Sequence, residues 1–203
     1  MHIKKERFDI MKVLFVNACA RKDSRTLELC RYFLQQYKQY HNDVVIEEIN
    51  ICEEKNLLPM NEQKLIQKND LIAKKDWNHE TMKYALQWNQ AERVIIGAPY
   101  WDWSFPSVLK IYIENIIVSE LNFVFRENRS VGLCKGEKML YIATAGGNAE
   151  QNMGYDYVVR VLKELGEYQS DYVHADNLDI EGIDINMIMK NTKKQIEEIA
   201  KNW

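Results

Sequence analysis

The sequence predicts an α/β protein: a doubly wound, five-stranded parallel sheet of order 2-1-3-4-5 with helices on both faces. Three observations lead there. Short apolar runs alternate along the chain with longer stretches of helical periodicity, the pattern of right-handed β-α-β crossovers. The runs, such as Val13-Leu14-Phe15-Val16 and Val94-Ile95-Ile96, are apolar throughout, as strands covered on both faces are. The three most distinctive loops, residues 17–26, 98–106 and 144–148, each leave a different run, which is where ligands sit in such sheets.

Taken in order, the first strand stops at Asn17, and a helical pattern begins at Ser24-Arg25-Thr26. Leu27, Leu29, Cys30, Phe33, Leu34 and Tyr37 then fall at helical spacing through residue 40. Residues 43–49 (DVVIEEI) form the second strand. Residues 50–79, rich in Asn, Lys and Asp, read as an excursion with one short helix over 61–68. A helix over 80–91 leads to the third strand, 93–97. After the loop at 98–106, Pro106 opens a helix through Leu109, Ile113 and Ile116-Ile117. Residues 120–136 are a second excursion, in which Phe123 and Phe125 alternate as in a hairpin. The fourth strand is 138–144, followed by a helix over 150–166 with Gly166 as its C-terminal cap. A fifth strand, 168–175, and a closing helix, 186–202, complete one domain over residues 1–203. Residues 1–10 are charged and read as a flexible lead-in.

The composition narrows the function. The chain is 46% hydrophobic, with 3 Pro and 8 Gly, which is globular. A net charge of -3 argues against a general nucleic-acid binder. Cys19, Cys30, Cys52 and Cys134 are scattered without C-x-x-C spacing, so no zinc or cluster site is indicated and a reduced, cytoplasmic chain is the simplest account. No apolar stretch is long enough to cross a membrane, and the N-terminus lacks a signal-peptide core.

The first loop has the form of an anion site. Helix N-termini carry unpaired amides and partial positive charge. Hydroxyls of Ser24 and Thr26 suit phosphate oxygens, and Arg21 or Arg25 adds charge. The alternative is that Asp23 or Ser24 only caps the helix. No G-x-G-x-x-G and no G-x-x-x-x-G-K-[ST] is present, so neither the dinucleotide fingerprint nor a triphosphate loop applies, leaving a loop suited to one terminal phosphate. The second loop holds Pro99, Tyr100, Trp101, Asp102, Trp103 and Phe105. Any one of these aromatics is ordinary core; together they favour a flat ligand. The third, Thr144-Ala145-Gly146-Gly147, lets backbone approach a ligand, or is a plain strand-to-helix turn. One phosphate, one planar ring and close amides together describe FMN. Cys19 reads as a small filler residue rather than a redox thiol. His2, His41, His79 and His174 read mostly as lone surface histidines.

Four stretches resemble a known family. MKVLFVNACARKDSRT is similar to the first strand and phosphate loop of FMN-dependent azoreductases and quinone reductases, which are flavodoxin-like NAD(P)H-dependent oxidoreductases. APYWDWSFPSVLKIYIE resembles their A-P-x-Y-N-F-x-x-P-x-x-L-K-x-Y-x-D block. LNFVFRENRSVGLCKGEKMLYIATAGG resembles T-F-x-Y-T-E-N-G-x-x-G-L-x-x-G-K-x-x-x-I-x-x-x-G-G, and Ala175-Asp176-Asn177-Leu178 resembles a late A-E-G-L. The resemblance covers most of residues 11–178 and is weakest over 50–80.

That resemblance implies that Ser24 and Thr26 bind the FMN phosphate. It implies that Tyr100, Trp101, Asp102 and Trp103 line the edge and re face of the isoalloxazine, and that Thr144, Gly146 and Gly147 meet its other polar edge. Arg21, Arg25, Pro99 and Ala145 belong to the same three loops and complete the expected cofactor site. Asp102 stands where the family has Asn, Trp101 and Trp103 exceed the usual Tyr and Phe, and Cys19-Ala20-Arg21 replaces Ser-Pro-Arg. The family's chemistry implies that NADH or NADPH reduces the flavin at N5 and departs, and that a quinone, azo compound or nitroaromatic then takes the electrons in a ping-pong cycle, with no catalytic side chain required. It implies a cytoplasmic homodimer in which residues 50–79 and 120–136 cover the neighbour's flavin. The alternatives are a flavodoxin-type carrier of single electrons and an FMN-binding module without turnover. The aromatic loop and the two excursions argue against a carrier, whose flavin edge is open.

Overall fold

The computed structural model describes residues 10–203, so nearly all of the expected lead-in lies outside the described residues. Five strands form one parallel sheet: β1 (Met11–Asn17), β2 (Val44–Asn50), β3 (Arg93–Gly97), β6 (Lys138–Thr144) and β7 (Gln169–Ala175), in the order β2-β1-β3-β6-β7. With the separate hairpin of β4 (Phe123–Arg126) and β5 (Arg129–Gly132) set aside, this is the expected order 2-1-3-4-5.

Alternation along each strand divides the core in two. Leu14 and Val16 face α3 (Lys83–Gln90), α4 (Ser107–Ile116) and α5 (Met153–Leu165), packing with Trp88, Tyr112 and Leu162. Val13 and Phe15 face α1 (Arg25–Tyr40) and α6 (Ile185–Asn202), packing with Phe33, Ile196 and Trp203. The second strand departs from the both-faces-covered pattern. Val45 is 53% exposed, because β2 is the sheet edge, where Glu47 and Glu48 also discourage further pairing.

Element boundaries follow their caps. α2 (Glu62–Lys74) is longer than the helix expected over 61–68. Asn61 accepts from the Lys64 amide at its start, Leu71 packs on Met82, Val118 and Leu121, and left-handed Lys75 (φ 53) ends it. The helix expected over 80–91 divides into a 3-10 turn, Glu80–Met82, and α3. α5 starts at Met153 rather than 150, because Asn152 caps it through the Gly154 and Tyr155 amides. Gly166 follows α5 as expected, but its φ of 172 is extended, so no left-handed cap forms; a Cβ there would sit 3.2 Å from the Tyr168 ring and 3.3 Å from the Cys134 carbonyl. The alternating Phe123 and Phe125 do lie on a hairpin, closed by Glu127 and Asn128, both left-handed.

Candidate functional site

The three distinctive loops leave β1, β3 and β6, adjacent strands whose carboxyl ends share one rim of the sheet. Thr144 ties them together. Its hydroxyl lies 2.7 Å from that of Thr26, and its carbonyl accepts from the Tyr100 amide at 3.0 Å. One residue therefore sets the spacing of all three loops.

The first loop is ordered by Asn17, whose carboxamide oxygen accepts from the Cys19 amide at 3.0 Å. Ser24 caps α1, accepting from the Leu27 amide at 3.3 Å. The capping alternative is thus realised, and it leaves the Ser24 hydroxyl hydrogen free to donate. Among the described residues the amides of Lys22, Asp23 and Arg25 have no acceptor, which is the donor set an anion at a helix start requires. Thr26, in the first turn of α1, is fully buried, with its hydroxyl against that of Thr144. Arg25 turns to the Leu178 carbonyl and the Asp179 carboxylate, at 3.3 and 3.2 Å, whereas exposed Arg21 has no acidic partner among the described residues. Burial pushes the Cys19 thiol up to about 11, and it lies 3.7 Å from the Gly97 carbonyl; it is an inert filler at neutral pH.

The second loop runs from buried Ala98 through Pro99 and half-buried Tyr100 into a tight turn, where Trp101 and Ser104 exchange backbone hydrogen bonds. Asp102 and Trp103, between them, both have positive φ, 49 and 63. That conformation strains a bulky residue, and it holds Trp101 and Trp103 40% and 71% exposed at the rim. A cleft of about 460 Å³ opens beside the turn, lined by Ala20, Cys52, Trp101, Asp102 and Phe105.

The third loop supplies donors by peptide geometry alone. The carbonyls of Ala145, Gly146 and Gly147 accept from the amides of Leu178, Asp179 and Asn177, at 3.1, 3.0 and 2.9 Å. A trans peptide directs N–H opposite to its carbonyl. The amides of Gly146, Gly147 and Asn148 therefore point away from residues 177–179, and among the described residues none has an acceptor. The two glycines have different reasons. A Cβ on Gly146 would lie 2.4 Å from the Asp179 carboxylate, so glycine there admits Asp179; at Gly147 nothing lies within 4 Å, and the backbone borders open space. A row of unpaired amides, an open helix start and an aromatic turn on one rim fit a planar, carbonyl-bearing ring with a terminal phosphate, which is what FMN presents.

The family model described as flavodoxin-like fold matches residues 11–203. The chain belongs to that family. An FMN-dependent NADH:quinone oxidoreductase of Caldicellulosiruptor saccharolyticus is 31% identical over 210 residues, covering 95% of this chain and 99% of the relative. A second enzyme of that name, from Clostridium acetobutylicum, is 32% identical over 201 residues with the same coverage. Among solved structures, an azoreductase from Bacillus anthracis superposes with a TM-score of 0.82 at 22% identity, over 95% of this chain and 100% of that one. An FMN-dependent NADH-azoreductase from Bacillus anthracis, in complex with FMN, gives 0.79 at 24% identity, over 95% and 98%. The structural likenesses carry the fold.

Several residues of the rim carry no motif in the sequence. The Thr26–Thr144 pair spans 118 residues. His174 is not a lone surface histidine: its Nδ1 lies 2.9 Å from Asp176, and its ring stacks on Tyr172 at 4.7 Å. His41 stacks on Tyr37 and His79 accepts from the Thr81 amide, so neither stands alone; His2 lies outside the described residues. Among the described residues no group of three or more His, Cys, Asp or Glu is placed to hold a metal, and no helix is long and apolar enough to cross a membrane.

Proposed function

We propose that this chain is an FMN-dependent NADH oxidoreductase that reduces quinones and azo compounds, with nitroaromatics as further acceptors, by a ping-pong cycle. The observation that supports it most is the amide row of residues 146–148 facing the same rim as the open start of α1 and the aromatic turn, in a chain about a third identical to enzymes of that name. When bound, FMN supplies the redox chemistry, accepting hydride from the nicotinamide and delivering electrons to the acceptor. The protein's task is to bind and orient. The amides of Lys22, Asp23 and Arg25, the Ser24 hydroxyl and the Arg21 guanidinium hold the phosphate. Thr26 acts through Thr144, fixing the loops relative to one another. The amides of Gly146 and Gly147 donate to the ring's carbonyl edge. Pro99, Tyr100, Trp101 and Trp103 line the ring, and Asp102 accepts its N3–H.

In this reading residues 11–203 act as one flavodoxin-like domain in the cytoplasm, and two chains associate with residues 50–79 and 120–136 over the partner's flavin. Leu58, Ile66 and Phe125, 51%, 63% and 72% exposed, are the apolar surface such a contact covers. Sedimentation should then give twice the 24.1 kDa chain mass. The activity is tested by NADH oxidation with menadione over a grid of both concentrations. Parallel double-reciprocal lines are expected of the flavin-loaded protein. Stoichiometric FMN without turnover would replace the enzyme by a carrier or binding module.

A further inference from the structure

We infer that Asp176, with His174 behind it, is a positioning residue that sets the cofactor-facing loop between β6 and α5. The inference rests on the reading above that residues 146–148 face the flavin. Its physical basis is a closed set of hydrogen bonds at the far end of that loop.

Ala149 is buried and held in two directions by side chains of the strand β7 and its exit. Its amide donates to Asp176 Oδ2 at 2.9 Å, and its carbonyl accepts from the Tyr172 hydroxyl at 3.0 Å. The same hydroxyl accepts from Asn152 Nδ2 at 3.1 Å, and Asn152 Oδ1 caps α5 through the Gly154 and Tyr155 amides at 2.9 and 3.1 Å. The other oxygen of Asp176 lies 2.9 Å from His174 Nδ1. An ionised carboxylate only accepts, so beside it Nδ1 carries the proton. The His174 ring is fixed in turn by stacking on Tyr172, which stacks on Tyr155 at 4.7 Å. Register explains the assembly: Tyr141 and Ala143 of β6 lie beside Tyr172 and His174 of β7, so residue 176 emerges level with the loop leaving Thr144.

The near end of the loop is held by backbone alone, through the carbonyls of Ala145, Gly146 and Gly147. Those bonds determine which side the amides face. They end at the Gly147–Asn148 peptide, and among the described residues the next carbonyl, that of Asn148, accepts no backbone bond. The Ala149 amide, bonded to Asp176, holds that next peptide and so closes the far end of the amide row. Asp176 thereby aims the amide row without touching the ring itself.

Asparagine keeps the shape of this carboxylate but not its charge. Its single oxygen can accept from the Ala149 amide, but its NH2 suits His174 only in the tautomer protonated at Nε2, and the charge that strengthens both bonds is lost. Asp176→Asn is therefore expected to speed hydrogen exchange in the peptide containing residues 145–152 of the flavin-free protein by roughly tenfold or more, the effect of losing a hydrogen bond to a charged group. In the same variant FMN binding weakens by about fivefold or more, and the bound flavin's visible spectrum and midpoint potential shift. Asp176→Glu keeps two acceptors and restores exchange and affinity to within about twofold of the parent. Should Asp176→Asn fold poorly, His174→Phe preserves the stack, removes one partner of the carboxylate and shifts the same readouts in the same direction by less. Unaltered exchange in both variants overturns the inference whatever the flavin does. Faster exchange with unaltered FMN affinity and spectrum also overturns it. In that case the anchor is real and the fault lies in placing the loop against the cofactor.

Discussion

Among the described residues two turns hold consecutive non-glycine residues in the left-handed region, and they use it differently. Glu127-Asn128 closes the β4–β5 hairpin, with φ of 50 and 62. Paired positive φ matches the twist of the flanking strands, asparagine tolerates it, and a four-pair ladder offsets the cost. Asp102-Trp103, with φ of 49 and 63, closes no ladder: a single bridge, Trp101 to Ser104, supports it. Tryptophan gains nothing from that conformation. The strain holds two indoles exposed at the rim, so one turn serves folding and the other, in the proposed function, the ligand.

The sharpest way to break this contrast is to put Asn-Gly into both turns. In the rim turn, Asp102→Asn with Trp103→Gly should raise unfolding free energy by about 1 kcal/mol, by relieving left-handed strain. It should also weaken FMN binding about tenfold or more, through the lost aromatic contact. In the hairpin, Glu127→Asn with Asn128→Gly should stabilise by about 0.5 kcal/mol and leave FMN affinity unchanged. Chemical denaturation and flavin-fluorescence titration read both effects. Equal loss of FMN affinity in the two variants would end the distinction.

A narrower test takes Asp102 alone. A carboxylate beside a ring that becomes anionic on reduction disfavours the reduced form. Asp102→Asn should therefore raise the midpoint potential of the bound flavin, with each 30 mV or so equal to about 1.4 kcal/mol. Spectroelectrochemical titration decides it, and an unchanged or lower potential contradicts the assignment.

How much of this was legible beforehand depends on range. The central strands were readable because Val13–Val16 and Val94–Ile96 are buried on both faces and so are apolar at every position. β2 was readable as a strand and, from the expected order, as an edge, but the exposure of Val45 in its apolar centre was not. The loops announced themselves by composition; the bonds that assemble them did not. Thr26 meets Thr144, and Ala149 meets Asp176, only once the register of the sheet is set. Gly146 illustrates the same limit. Its sequence context suggests room for a ligand, whereas its neighbour is Asp179.

A smaller effect separates the rigid floor of the rim from its open side. The buried Cys19 thiol, raised to about 11, stays protonated at neutral pH, whereas Cys52 is exposed. Iodoacetamide near pH 8 should label Cys52 and spare Cys19 in the folded protein, as peptide mass mapping will show. The raised value also gives a sign for stability. The unfolded thiol loses its proton near 9 and the folded one near 11, so the contribution is complete below pH 9 and is lost as pH rises through 11. Cys19→Ala should remove that part of the alkaline loss, and an unaltered pH profile would show that Cys19 does not contribute.

The central claim is that the loop from Asn17 to Thr26 is a phosphate site serving a flavin gathered by the other two loops. Titration of the flavin-free protein with FMN and with riboflavin, followed by flavin fluorescence, tests it most directly, because the two ligands differ only in the phosphate. One FMN per chain is expected, bound about a hundredfold more tightly than riboflavin, since two hydrogen bonds to a charged group suffice for that ratio. Equal affinity for the two ligands would contradict it.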